Sequence, residues 1–90
     1  MQHYPKVRSV EPIPRKRLRV SFEDGSVRIY DCKPLLEEPA FRHLNDDAFF
    51  RNVRPDPHGY GVAWNDDTDL AESELWLGGY EDESVHGSEH

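Results

Sequence analysis

Apolar and polar residues alternate through Leu18-Arg19-Val20-Ser21-Phe22 and again through Val27-Arg28-Ile29-Tyr30, the period of strands with one buried face. Between them, Asp24-Gly25 is a favoured pair for a two-residue type I′ turn, because both central positions need positive φ. That turn sets a register in which Phe22 faces Val27 and Val20 faces Ile29 on one side. The opposite face then carries Arg17, Arg19, Ser21, Arg28 and Tyr30. Upstream, Lys6-Val7-Arg8-Ser9-Val10 reads as another strand. Val7 and Val10 differ in parity, so either a bulge intervenes or both faces are partly covered. Pro12 and Pro14 flank Ile13 and, with Arg15-Lys16, turn the chain into the next strand. The expectation is an antiparallel meander of three strands.

The pattern then changes character. Pro34 is placed to open a short helix over Pro34-Leu35-Leu36-Glu37-Glu38, which Pro39 stops. Asn45 or Asp46 is placed to cap a second one, Asp47-Ala48-Phe49-Phe50-Arg51. Phe41, Leu44, Phe49 and Phe50 form an apolar surface that must pack on the sheet. Val53-Arg54 begins a strand, Pro55-Asp56-Pro57-His58-Gly59 turns it, and Tyr60-Gly61-Val62-Ala63-Trp64 returns with Val62 and Trp64 facing the core. Thr68-Asp69-Leu70 is a short extended piece, and Ala71–Leu77 gives a last turn or two of helix closed by Gly78-Gly79. From Glu81 onward apolar periodicity is lost. The predicted fold is α+β, an antiparallel meander with hairpins and two or three short helices packed on one face. The predicted organisation is a single domain over residues 1–79 and a mobile acidic tail over 80–90.

Ninety residues allow one domain. A mean hydropathy of −0.88 with 32% charged residues describes a small core under a charged skin, and ten aromatics make that core feasible. No apolar run approaches the roughly 20 residues of a membrane span, and no signal-peptide stretch opens the chain. A single cysteine excludes an internal disulfide framework. A soluble cytoplasmic protein is expected.

Charge divides the chain unevenly. The net charge is −7; residues 1–30 carry +4 and residues 31–90 carry −11. An acidic chain is repelled by phosphate backbones at long range, which disfavours autonomous nucleic-acid binding. The Arg17, Arg19, Arg28, Tyr30 face is nevertheless the surface with binding character, since arginine beside an aromatic suits single-stranded nucleic acid. Its plainer reading is a solvated strand face whose arginines pair with acids.

Candidate chemistry is sparse. Asp66-Asp67-Thr68-Asp69 is the densest group of carboxylates, but it lacks the glycine and terminal Glu of a calcium loop; solvated caps are the expectation. The five histidines show no zinc spacing. His58 sits at a hairpin tip near Asp56 with nothing to orient it as a base. Lys33 is placed to lower the pKa of Cys32 slightly, yet a nucleophile also needs a base and an oxyanion site. Gly59-Tyr60-Gly61 lies inside a hairpin and is no phosphate loop; its glycines suit a bulge or close packing beside Trp64. No cofactor, metal or catalytic residue is expected.

The ordered phrases Pro5-Lys6-Val7…Ser9-Val10-Glu11-Pro12, Leu18 to Ser26, Tyr30-Asp31…Leu35-Leu36 and Tyr60-Gly61-Val62-Ala63-Trp64-Asn65 with Asp69-Leu70 resemble a bacterial family. It is the domain-of-unknown-function family numbered twenty-four forty-two, and the resemblance covers about residues 4–77. It implies a small α+β domain. Some members carry a helix-turn-helix after this domain and others are encoded beside a small toxin-like protein, which implies an antitoxin-like or regulatory role. No helix-turn-helix is expected in the residues after Trp76. Ala71 stands where such members often have a Ser or Thr helix cap. The family brings no catalytic residues with it.

The resulting expectation is a non-enzymatic protein-interaction or regulatory module, an antitoxin-like partner of a small basic toxin. The alternative is a nucleic-acid-binding regulator working through Arg17, Arg19, Arg28 and Tyr30. A homodimer is a further expected partner state, because small sheets have edges to protect.

Overall fold

Three strands form the expected meander in the computed structural model, which describes residues 4–81. They are β1 (Val7–Ile13), β2 (Arg17–Phe22) and β3 (Val27–Asp31). A bulge answers the parity question in β1. The register slips between Val7 and Ser9, so Val7 lies opposite Phe22 and Val10 opposite Val20, both aimed at the core face.

The β2–β3 turn corrects the sequence reading. Ser21 pairs with Val27, Val20 with Arg28 and Arg19 with Ile29, one residue away from the predicted register. Asp24-Gly25 does not form a two-residue type I′ loop. Instead Gly25 N–H donates to Phe22 O at 3.0 Å and Phe22 N–H to Ser26 O at 2.9 Å, with Gly25 at φ 92°. This is a three-residue loop, a turn followed by a left-handed glycine. The Asp24 carboxylate accepts from the Ser26 amide and hydroxyl, which holds its pKa below the usual carboxylate range. One extra loop residue flips the whole of β3. Arg28 and Tyr30 join Leu18, Val20 and Phe22 on the core face, while Ile29 turns to the other.

After β3 the chain makes two 3-10 turns, Lys33–Glu37 and Pro39–Asn45. The first stands where a short helix is predicted; the second supplies the buried Leu44. Helix α1 (Asp47–Phe50) follows, capped by Asp46, whose carboxylate accepts from Ala48 N–H. A second sheet comprises β4 (Arg54–Pro55), β5 (Gly61–Asn65) and β6 (Thr68–Ala71), in that spatial order. The sheets are tied by Val7 N–H donating to Gly59 O at 2.9 Å. Their apolar residues join in one core that includes Leu18, Val20, Phe22, Leu44, Phe50, Val62, Trp64 and Leu75. Trp64 Nε1 donates to Phe50 O at 3.0 Å, so the buried indole meets its polar need while pinning α1 to β5.

Helix α2 (Glu72–Gly78) lies on the core side of the first sheet. Leu75 is fully buried, Trp76 meets Phe22 edge-on at 5.1 Å, and Arg28 stacks on the Trp76 ring at 3.8 Å. Its N-cap is Ala71, which offers no side-chain acceptor. Ala71→Ser should therefore stabilise the domain by about 0.5–1 kcal/mol, read as a higher urea midpoint at unchanged slope. Tyr80 and Glu81, which the sequence reading places in the tail, form β7 and pair with Ile29 and Arg28. The rest of that proposed tail lies outside the described residues. The architecture is α+β, as expected, and no helix among the described residues is long and apolar enough to cross a membrane.

Candidate functional site

The flipped register splits the arginine face drawn from the sequence. Arg17 and Arg19 stay on the outer side of the first sheet. Arg28 and Tyr30 lie on the other side, where β2 buries its leucine, valine and phenylalanine. Arg19 bonds Glu11 across strands at 3.0 Å, and Arg17 Nε donates to Pro14 O at 3.0 Å. Arg28 is committed to Trp76, with its Nε buried and lacking a hydrogen-bond partner among the described residues. Tyr30 is buried and its hydroxyl donates to Glu74 Oε2 at 2.7 Å. These four residues do not form one platform; two of them dock α2.

The lone nucleophile is likewise enclosed. Cys32 is fully buried, and burial, with Asp31 adding repulsion, pushes its thiol up to about 12. Lys33, expected to lower that value, instead contacts Asp31 and the Arg15 carbonyl. His58 is exposed, and Asp56 spends its carboxylate on the backbone N–H groups of His58 and Tyr60, not on the ring. Among the described residues no three His, Cys, Asp or Glu side chains gather as a cation site.

Two surfaces stand out. Asp66, Asp67 and Asp69 are exposed along the β5–β6 turn and on β6, the outer strand of its sheet, and Glu72 continues the row into α2. None of the four makes an ion pair among the described residues.

The second surface is a cleft of about 390 Å³ between the β1–β2 turn and α1. Pro12, Ile13, Pro14 and Phe50 give it apolar walls; Arg15, Lys16, Arg51 and Asp47 give it charge. At its lip Arg15 and Lys16 both adopt left-handed backbone, at φ 70° and 57°, a conformation that costs non-glycine residues about 1–2 kcal/mol each. Lys16 is held there from two sides. Its carbonyl accepts from Cys32 N–H, and its ammonium bonds Asp47 and the Asn45 carbonyl over the Phe50 ring. The sequence reading passed over this cleft and treated Arg15-Lys16 only as a turn. The signal lay in two bulky residues at a hairpin tip where Asn or Gly is usual.

No curated protein and no solved structure matches this chain. A family model described as a protein of unknown function (DUF2442) matches residues 7–81, from the first residue of β1 to the last of β7. Apart from Pro5 and Lys6, the quoted strand and turn phrases fall inside that span, and the chain belongs to this family.

Proposed function

We propose that this chain is a non-enzymatic interaction module that docks a basic protein partner, as the antidote half of a toxin–antitoxin pair does. The observation that carries this reading is the acidic group Asp66, Asp67, Asp69 and Glu72, none of which makes an ion pair among the described residues. Like charges held together on one edge repel, and a cationic partner relieves that repulsion while being steered toward it. Asp69 also stands on an outer strand, whose outward amides and carbonyls suit addition of a partner's strand. The burial of Cys32 and the exposure of His58 support an interaction role over catalysis.

The test uses the full chain and the product of the neighbouring gene. A complex is expected by calorimetry at about 50 mM salt and a weaker one at about 300 mM. Changing Asp66, Asp67 and Asp69 together to Asn should slow association about tenfold. Failure to form a complex at either salt, or a complex indifferent to the triple change, overturns the reading.

A further inference from the structure

The cleft at the β1–β2 turn has a chemistry opposite to the acidic row. Lys16 is neutralised by Asp47. Asp46 is turned away to cap α1. Arg15 and Arg51 are both exposed, and neither makes an ion pair or side-chain hydrogen bond among the described residues. Two exposed guanidinium groups, that of Arg51 also attracted to the Asp47 carboxylate, thus stand at a half-enclosed hollow with prolyl, isoleucyl and phenyl walls.

A guanidinium is a planar fork matched to carboxylate and phosphate oxygens, and a cleft of this volume falls within the roughly 300–1,000 Å³ of small-ligand sites. The apolar walls have no use for a bare inorganic ion. The net charge of −7 opposes anions at long range, but that field is screened beyond about 8 Å at physiological salt. The backbone adds a separate argument. Arg15 occupies a left-handed position that Asn or Gly fills at lower cost. Strain retained at the lip of a hollow, in a residue whose side chain makes no hydrogen bond or ion pair among the described residues, suits a role in holding a ligand.

We propose that this cleft binds a small organic anion, a carboxylate or phosphate group carried on an apolar body. Arg15 and Arg51 hold the anionic head, while Pro12, Pro14 and Phe50 cover the body. The inference does not depend on the acidic row, which lies on other elements, and either reading stands or falls without the other.

The test is a titration of the intact protein followed by amide chemical shifts, with phenyl phosphate, benzoate, inorganic phosphate and benzyl alcohol as probes up to about 10 mM. Phenyl phosphate or benzoate should shift residues 12–16 and 50–51 and bind about tenfold more tightly than inorganic phosphate or the neutral alcohol. Arg15→Asn and Arg51→Gln should each weaken binding by about fivefold or more, while Arg54→Gln, outside the cleft, should leave it unchanged. Arg15→Asn carries a second readout, because it should raise the melting temperature while lowering affinity. Binding of the aromatic anions by phosphate strength alone, equal effects of Arg54→Gln, or no shifts in the cleft with any probe would each overturn the proposal.

Discussion

Gly61→Ala should cost the domain about 3–5 kcal/mol, enough to abolish or nearly abolish its cooperative urea transition given typical stabilities of about 5–15 kcal/mol. Two separate effects combine at this position. Gly61 has φ 150°, which strains any residue bearing a Cβ. An added Cβ would also sit 2.0 Å from Leu70 O and 3.0 Å from Ala71 Cα. Both neighbours are backbone of the paired strand β6, with Gly61 opposite Ala71 and Val62 opposite Leu70. Relief therefore requires β5 and β6 to part, and Val62, Trp64 and Leu70 would leave the core with them. Gly25→Ala isolates the conformational part, because Gly25 has φ 92° but no atom within 4 Å of the added Cβ. It should cost only about 1 kcal/mol. Equal urea midpoints for the two variants would show that the close approach of β5 and β6 is not what requires glycine at 61.

That contrast also bears on what could be read from the chain. Gly61 was legible as a site of close packing, because glycine inside an alternating apolar run points to a bulge or a near backbone. Most elements were legible for the same local reasons: the alternation in β2 and β3, the Asp46 cap of α1, and the Val62–Trp64 face of β5 all depend on neighbours within a few residues. The register of β3 was not. Asp24-Gly25 satisfies both a two-residue loop and a three-residue loop ending in left-handed glycine. The two loops put opposite residues of β3 inside. The choice is settled by partners far away, since only the observed register lets Tyr30 reach Glu74 and Arg28 reach Trp76. Ile29 remains buried, at 4% exposure, on the other face, so β3 presents apolar groups to both sides and its pattern specifies register weakly. The cleft was hidden for a related reason. It depends on Lys16 meeting Asp47, 31 positions along the chain, a pairing that no local period announces. The acidic row was readable because Asp66, Asp67 and Asp69 are nearly consecutive; the place of Asp69 on an outer strand was not.

The same flipped strand leads to an expected alkaline collapse. Burial and the hydrogen bond to Glu74 raise the Tyr30 phenol above its ordinary value of 10.0. Just beyond β3, burial raises the Cys32 thiol from 9.0 to about 12. Both groups are neutral when protonated, so the folded state keeps protons that the unfolded chain releases. Their stabilising effect is complete below the unfolded values. It begins to fall near pH 9, as unfolded Cys32 ionises, and falls faster above pH 10 when Tyr30 joins. The slope is about 1.4 kcal/mol per pH unit for each group held protonated in the folded state. Urea midpoints should therefore change little from pH 7 to 8.5 and decline steeply from pH 9 to 10.5. Cys32→Ala should remove the portion between pH 9 and 10, even though the smaller side chain lowers stability at every pH. Tyr30→Phe should flatten the portion above pH 10 while losing the Glu74 hydrogen bond at all pH values. If the decline in Cys32→Ala matched that of the unaltered chain, the thiol would not be held protonated by the core, and the packing of β3 against α2 would have to be looser than these contacts describe.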